Sequence, residues 1–297
     1  MSRRYLRAAL LAAALVAPIG GVRAQAIGGT LVGHVRSSVG DAWDVWTSPF
    51  RANARDWLGA AGVLGIAAAV SPADAAVDQW AVHDRDDGIF QIVKPFREGG
   101  AAFSGKTITP VAIGVLAAAV VARNEPTLEG IFGCATSYAA SSAVRTFVAY
   151  PLVARTRPDS SRTFDAPPAR QGDQYHFAFP GTSDWGRHSF PGGHIANVAA
   201  CAGFLTSRYH MGALAAVPWA LVGAVGLSRT LDRRHWLSDE VVGAIFGYAV
   251  GKEVAVRSLR RKQKSSSSGN AREDDGADAL FVSPTPDGAR FGWRRSF

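Results

Sequence analysis

The sequence predicts an all-α protein, a helical bundle of about six core helices. Six apolar stretches rich in Ala and Gly support this fold, and none of them alternates apolar and polar residues as a half-buried strand does. Small side chains let helices pack closely against one another. Hydrophobic residues make up 47% of the chain and charged residues 19%, a balance typical of an ordered protein. The predicted helices cover roughly residues 57–73, 107–122, 130–154, 193–207, 211–228 and 240–255.

The first residues have the three parts of a secretory signal peptide. Ser2 to Arg7 is basic, Ala8 to Ile19 is apolar, and Val22-Arg23-Ala24 has small residues at the two positions that a signal peptidase recognises. The apolar part is shorter than the about 20 residues that a membrane-spanning helix needs. An uncleaved anchor is the alternative. We therefore expect residues 1–24 to be removed and the protein to work in the cell envelope, outside the cytoplasm.

Three further regions follow the signal peptide. Residues 25–56 form an amphipathic N-terminal segment, and residues 57–260 hold the predicted helices. Residues 261–297 form a flexible, basic and Ser-rich tail, in which Lys264 to Gly276 has the composition of a linker. Apolar residues on both sides of Pro286-Asp287-Gly288 favour a small β-hairpin, and a disordered end is the alternative.

The net charge of +8 does not predict a nucleic-acid partner. Much of the charge lies in the signal peptide and in Arg257 to Lys264, which follows an apolar helix. Basic residues in that position are typical of a helix end at an anionic lipid surface, and a solvated tail is the alternative. Neither zinc-finger spacing nor a base-stacking motif accompanies them, so we expect no nucleic-acid binding.

The two cysteines, Cys134 and Cys201, both lie in apolar helical stretches. We expect two buried small hydrophobic side chains. A disulfide is possible in an exported protein, but the spacing does not predict one. Neither cysteine has the neighbours of a metal site.

The number of membrane crossings does not follow from the number of helices. Uncharged runs are only about 15 to 18 residues long, at or below the spanning threshold, and Arg145 interrupts the third helix. With a cleaved signal peptide, six crossings would place the polar ends of the third and fourth helices inside the cell. A 57–73 helix lying in the membrane interface would avoid this, and a soluble periplasmic bundle is the alternative. We expect membrane association, with these polar ends facing the periplasm.

Three polar segments stand out, each at the end of a predicted helix. They are Arg155-Thr156-Arg157-Pro158, Ser189-Phe190-Pro191-Gly192-Gly193-His194, and the stretch from Ser228-Arg229 through His235 to Asp239. Each segment alone is common, because arginine-rich loops are often solvated and Pro-Gly-Gly is often only a turn. Together, at three helix ends of one bundle, they supply what phosphoryl transfer to a side chain requires.

Four of these residues are suited to bind an anion. Arg157 and Arg229 are permanently charged, forked donors that match the oxygens of a phosphate. Gly192 and Gly193 precede a helix, where backbone N–H groups and the helix dipole favour negative charge.

Three others can perform the chemistry. His235 would attack phosphorus as a neutral imidazole. Asp239 lies four residues further on, so one helical turn would bring it to the other ring nitrogen of His235 and fix the tautomer. His194 would protonate the leaving alcohol and then activate water.

The three segments resemble the three-part signature of the type 2 phosphatidic acid phosphatase superfamily, which also contains vanadium haloperoxidases and bacterial acid phosphatases. That signature runs Lys, six residues, Arg-Pro; then Pro-Ser-Gly-His; then Ser-Arg, five residues, His, three residues, Asp. Its third part matches in full, from Ser228 to Asp239. The resemblance covers roughly residues 57–255. It implies a bundle whose active site lies at one end, formed by helix termini and loops. It also implies His235 as nucleophile, Asp239 as its orienting residue, His194 as acid and base, and Arg157, Arg229, Gly192, Gly193, Ser228 and Tyr150 around the phosphate.

Tyr150 is the first departure from this signature, because it stands where the signature has lysine. It lies seven residues before Arg157 on the same helix face, and it can donate one hydrogen bond but brings no charge. Arg155 is on a different face, and a continuous helix places Arg145 about 18 Å from Arg157. Lys94 or Lys106 could reach in from the preceding segment.

Gly192 is the second departure, because the signature has serine there. The hydroxyl donor is lost and the backbone N–H is kept. Losing one such donor in a preorganised site can cost about 2.7–4 kcal/mol of transition-state stabilisation, which would reduce or alter the activity.

Three functions fit these residues. The first is a phosphatase that acts on a lipid phosphate or diphosphate, or on a small exported phosphoester, through a phosphohistidine. The second is a vanadate-dependent haloperoxidase in which His235 binds vanadium, and the missing lysine disfavours it. The third is a non-catalytic envelope protein that binds phosphate groups. We expect no metal and no cofactor for the phosphatase reaction, because arginines neutralise the phosphate.

Overall fold

A computed structural model describes residues 21–84, 86–93, 108–161, 165–178, 184–273, 279–285 and 288–294. The described chain is helical except for loops and one pair of strands. Its elements are α1 (Gly21–Thr47), α2 (Ala54–Val70), α3 (Asp74–Asp84), α4 (Ile108–Val121), α5 (Glu125–Val144), α6 (Tyr150–Val153), α7 (Gly193–Arg208), α8 (Ala216–Leu231), α9 (Leu237–Glu273), β1 (Ala279–Thr285) and β2 (Gly288–Arg294).

The all-α fold predicted from the sequence is confirmed, and each of the six predicted stretches coincides with a helix. The structure adds α3, which the sequence analysis did not predict. Before it, Ser71–Ala73 forms a 3₁₀ turn that leads directly into α3. Proline is tolerated there because the first residues of a helical turn need no N–H partner.

The tail also differs from the prediction. The linker expected from Lys264 to Gly276 is helical as far as Glu273, because α9 continues through it. Extending an existing helix costs far less than starting one. β1 and β2 pair antiparallel, with Thr285 opposite Gly288, and residues 286–287 of the predicted turn lie outside the described residues. The chain divides into two compact units between Ala255 and Val256.

Close helix packing is achieved through glycines on α9. A Cβ atom on Gly247 would lie 2.1 Å from the carbonyl oxygen of Ala196, and one on Gly251 would lie 2.0 Å from that of Ala200. Only glycine permits this approach of α9 to α7. The backbones of these two helices therefore hold the third and second polar segments in a fixed relation.

A disulfide bond joins Cys134 of α5 to Cys201 of α7. This corrects the expectation of two separate hydrophobic side chains. The two cysteines lie far apart in sequence but on facing helices that pack along their length, which spacing along the chain cannot show.

Two segments among the described helices are long and apolar enough to cross a membrane, Ala54–Asp84 and Gly212–Leu231. The first is mostly exposed within the protein. Trp57 and Leu58 are 58% and 73% exposed, and none of the residues of α2 is buried. The predicted signal peptide lies mostly in residues 1–20, outside the described residues.

Replacing Cys134 and Cys201 together by serine is expected to lower the free energy of unfolding by about 2–4 kcal/mol, because the bond closes a long loop in the unfolded chain. The two cysteines are separated by 67 residues in the sequence. Chemical denaturation with and without reducing agent measures the change. Reduction should lower the midpoint of the wild type and leave that of the double variant unchanged. Equal midpoints for the two oxidised proteins would contradict the prediction.

Candidate active site

Backbone hydrogen bonds bring the three polar segments together. Ser189 N–H donates to the carbonyl of Arg155 (3.2 Å), and Asp159 N–H donates to that of Arg233 (3.1 Å). Gly192 N–H donates to the carbonyl of Asp239 at 2.8 Å. The end of α6, the start of α7 and the α8–α9 connection thus form one cluster.

His235 lies in the connection between α8 and α9 and is 1% exposed. Its Nδ1 is 2.7 Å from the carbonyl oxygen of Ser189. A carbonyl can only accept, so Nδ1 carries the hydrogen and Nε2 keeps its lone pair. Burial, together with the charge of Arg157, lowers the pKa of His235 well below its ordinary value. The imidazole is therefore neutral at neutral pH.

Asp239 does not hold His235 as the sequence analysis expected. Its carboxylate accepts from Arg155 Nη1 (2.5 Å), from the hydroxyl of Ser189, and from the N–H of Trp236 (3.0 Å). The physical reason is that α9 begins at Leu237, so no helical turn connects Asp239 to His235. The carboxylate positions His235 indirectly, because it binds the side chain of Ser189 while His235 binds the carbonyl of the same residue.

His194 lies in the first turn of α7, and its ring centroid is 6.5 Å from that of His235. Burial and the charge of Arg229, followed by those of Arg145, Arg157 and Arg234, lower the pKa of His194 to about 4. Both histidines are therefore neutral in the free protein at neutral pH.

Arg157 and Arg229 are buried beside the histidines, at 8% and 6% exposure. Arg157 Nη2 donates to the carbonyl of His188 at 3.1 Å, and Arg229 Nη2 lies 3.5 Å from Asp232. Burial lowers the pKa of Arg157 to about 10, which still leaves it charged at neutral pH. Two buried cations thus act on the same small volume as the two imidazoles.

The start of α7 differs in one respect from the sequence prediction. The N–H of Gly192 is bonded to Asp239, so it is not available to an anion. The first helical bond of α7 runs from Ala196 N–H to Gly192, and the N–H groups of the three residues between them point out of the helix end.

Gly192 also makes room for a buried carboxyl group. A Cβ atom on Gly192 would lie 3.0 Å from Cδ and Oε1 of Glu240, which is 3% exposed. Burial raises the pKa of Glu240 well above its ordinary value, and the charge of Asp239 adds to this. The sequence analysis did not include Glu240, although a charged residue on the apolar α9 next to Asp239 was a usable signal.

Two other predicted site residues have neighbours that explain their burial. The hydroxyl of Ser228 donates to the carbonyl of Val225 (2.8 Å) and lies 3.4 Å from Nε of Arg229. The ring of Tyr150 stacks on that of His188, with centroids 4.7 Å apart. Burial raises the pKa of the Tyr150 hydroxyl, so it is neutral at neutral pH.

A buried ion-pair network behind the site was not predicted. Arg155 Nη2 pairs with Asp74 of α3 at 2.7 Å while its Nη1 pairs with Asp239. Asp78, one turn after Asp74, holds Arg233 through two contacts of 2.8 and 2.9 Å. The signal in the sequence was two aspartates four residues apart in an Ala-rich stretch.

Arg145 lies much nearer the site than the sequence analysis expected. Its Nη1 donates to the carbonyl of Gly193, and its Cζ is 5.5 Å from the ring centroid of Tyr150. The helix continues without a break, but Arg145–Ala149 forms a π-helical turn between α5 and α6, which changes the helix face on which Arg145 lies. Lys94 and Lys106 lie outside the described residues.

No group of three or more His, Cys, Asp or Glu side chains in the described part of the chain is arranged to hold a metal ion.

The family model described as the PAP2 superfamily matches residues 130–263. The chain is 35% identical to lipid A 1-phosphatase from Porphyromonas gingivalis over 71 residues, which are 22% of this chain and 15% of that protein. The crystal structure of a transmembrane PAP2-type phosphatidylglycerolphosphate phosphatase from Bacillus subtilis is similar, with a TM-score of 0.45 and 19% identity. The matched region covers 67% of this chain and 92% of the Bacillus subtilis chain. Residues 130–263, which carry all three polar segments, are therefore similar to the PAP2 superfamily.

Proposed function

We propose that this chain is a phosphatase that transfers the phosphoryl group of a phosphomonoester or diphosphate to Nε2 of His235. One observation carries the proposal. The bond from Nδ1 of His235 to the carbonyl of Ser189 (2.7 Å) fixes the tautomer with its lone pair on Nε2. A neutral, buried and oriented imidazole is the form that a nucleophile requires.

The other site residues supply charge and protons. Arg157 and Arg229 bind the phosphoryl oxygens, together with N–H groups at the start of α7. Nε2 of His235 forms a bond to phosphorus while the bond to the leaving oxygen breaks, and His194 gives that oxygen a proton. Water then attacks the phosphohistidine, His194 accepts the proton of the water, and inorganic phosphate leaves with His235 neutral again.

The low pKa of His194 fits this cycle only when the charge of the substrate is included. Its pKa of about 4 reflects burial and the surrounding arginines. A bound phosphate brings negative charge that offsets the arginines and raises the pKa of His194. A substrate that binds as the monoanion can also bring the proton with it. The substrate therefore creates the acid that its own cleavage requires.

We propose a lipid phosphate as the substrate class. α2 exposes large apolar side chains such as Trp57, Leu58 and Leu64, which suits contact with a membrane. The relative from Porphyromonas gingivalis is named as a lipid A 1-phosphatase. The Cys134–Cys201 disulfide favours an oxidising compartment, and so a site that faces the periplasm.

A phosphate-binding protein with weakened catalysis is the second candidate, and Glu240 is the observation that favours it. Its carboxyl lies 3.0 Å from the place that a Cβ atom on Gly192 would take, next to the position of the signature's serine. The positions of His194 and His235 favour the catalytic function, since phosphate binding alone requires neither.

The test is phosphate release by the purified chain from an aryl phosphate, phosphatidic acid and a polyprenyl diphosphate, all with EDTA. Wild type should release phosphate. His235→Ala should release none, and His210→Ala, which changes an exposed histidine, should match wild type. Acid-labile label on the protein from a radiolabelled substrate, absent in His235→Ala, would identify the phosphohistidine. Equal release by His235→Ala and wild type would reject the mechanism.

Asp74→Ala is expected to reduce stability and kcat together. It removes one partner of a buried ion pair, which costs about 3–5 kcal/mol, and it releases the Arg155–Asp239–Ser189 chain that positions His235. KM should change less than kcat, because Asp74 lies outside the phosphate-binding group. Denaturation and steady-state kinetics measure both effects, with Asp84→Asn on the same helix as control. An unchanged kcat would show that the network does not position His235.

Arg229→Gln is expected to raise the pKa of His194 in the free protein. Removing a nearby positive charge makes protonation of the imidazole easier, so the pKa should move up from about 4. NMR titration of the His194 ring measures the shift, and the exposed Arg36→Gln is the control. In the wild type, saturating inorganic phosphate should move the same pKa upward. A downward shift in either experiment would contradict the electrostatic account.

A further inference from the structure

The phosphate-binding group as described has two arginines, whereas the family signature adds a third cation, its lysine. Tyr150, at the position where the family signature has lysine, is neutral at neutral pH because burial raises its pKa. Arg145 is a cation beside the site that the mechanism above does not use. Its position depends on an irregular turn in the helix before the first polar segment.

The π-helical turn places Arg145 on the same face as Tyr150. In an α-helix, residues five apart are rotated by about 140° from each other. Across Arg145–Ala149 the N–H of Tyr150 donates to the carbonyl of Arg145, five residues back. The extra residue in the turn places Arg145 one turn before Tyr150 on the same face. The distance of 5.5 Å from Cζ of Arg145 to the ring centroid of Tyr150 agrees with this. Such turns occur often at functional sites.

The guanidinium of Arg145 reaches the start of α7, next to His194. Nη1 donates to the carbonyl of Gly193 and lies 3.5 Å from Oδ1 of Asn197. A Cβ atom on Gly193 would lie 2.6 Å from Nη1 and 2.7 Å from the Tyr150 hydroxyl. The guanidinium and the hydroxyl therefore lie against the same backbone atom, and the absence of a side chain at Gly193 permits both.

Two further observations indicate that this guanidinium faces the site. Its Nε is buried and has no hydrogen-bond partner among the described residues. The charge of Arg145 also contributes to the lowered pKa of both His194 and His235. A buried donor without a partner is costly, and an anion bound between the histidines would provide one.

Arg155, in the first polar segment, is another arginine near the site, but all three of its nitrogens already have partners. Its Nε donates to the carbonyl of Gln174 (2.9 Å), and both terminal nitrogens pair with buried carboxylates. Arg234 also acts on the pKa of His194, but the nearby charges of Asp232 and Asp159 act on Arg234 in turn. Arg145 has no carboxylate among its contacts in the described structure.

We propose that Arg145 is a phosphate-binding residue that replaces, through the π-helical turn, the lysine that the signature has at position 150. The assignment deepens the proposed function, since it concerns the same site. It requires phosphate binding there and does not require turnover. The species recognised is a phosphate group, whether free or on a lipid.

The test measures the binding of inorganic phosphate and of orthovanadate to the full chain by calorimetry. Arg145→Gln should weaken both by about 10- to 100-fold, the effect of losing one charged hydrogen-bond donor. Adding Tyr150→Lys to Arg145→Gln should restore at least part of the affinity, because it returns a cation to the signature position. Tyr150→Phe controls for the loss of the hydroxyl, and Arg36→Gln controls for net charge.

The outcomes separate this assignment from the proposed function. Equal affinity in wild type and Arg145→Gln overturns the assignment, even if His235→Ala abolishes phosphate release. Weaker binding that Tyr150→Lys does not restore, together with a lower unfolding temperature, gives Arg145 a structural role and also overturns it. Phosphate binding that depends on Arg145, in a chain that hydrolyses no substrate, supports the assignment while the phosphatase proposal fails.

Discussion

The arrangement of the site depends on the buried ion pairs of Arg155 with Asp74 and Asp239, at 2.7 and 2.5 Å. All three side chains are at most 3% exposed, and buried charges are tolerated only when each has its partners. The pairs tie α3 to α9 across the first polar segment, and Asp239 extends the connection to Ser189. Because Arg155 and Ser189 engage the carboxylate of Asp239, His235 is held by a neutral carbonyl instead. The bond to the carbonyl raises the pKa of His235, but burial and the charge of Arg157 lower it more, so the ring stays neutral.

Burial and the nearby arginines keep both histidines of the site uncharged. Burial and the positive charges lower the pKa of His194 to about 4 and that of His235 well below its ordinary value. In the free protein these effects oppose the protonation of His194 that the proposed mechanism requires. A bound phosphate reverses the balance, because its charge offsets the arginines.

The sequence was sufficient for the helices and for the grouping of the three polar segments, because apolar stretches and helix-end motifs are local features. The structural details that depend on contacts between distant residues were not predictable. α3 follows a Ser-Pro pair that usually marks a loop, yet its Asp74 anchors the network. The disulfide joins cysteines 67 residues apart. The position of Arg145 depends on one inserted residue in a helical turn, which composition does not reveal. The sequence analysis assigned the wrong partner to Asp239. It applied helical spacing to His235, which lies before the start of α9.

Each of the two departures from the family signature is accompanied by a second side chain that occupies the altered space. Where lysine is replaced by Tyr150, the guanidinium of Arg145 lies against the tyrosine ring and the start of α7. Where serine is replaced by Gly192, the carboxyl of Glu240 lies 3.0 Å from the place a Cβ atom would take. Burial keeps that carboxyl protonated by raising its pKa, and a protonated carboxyl can donate a hydrogen bond as a serine hydroxyl does. A cation and a donor thus lie beside the two positions from which the signature would provide them.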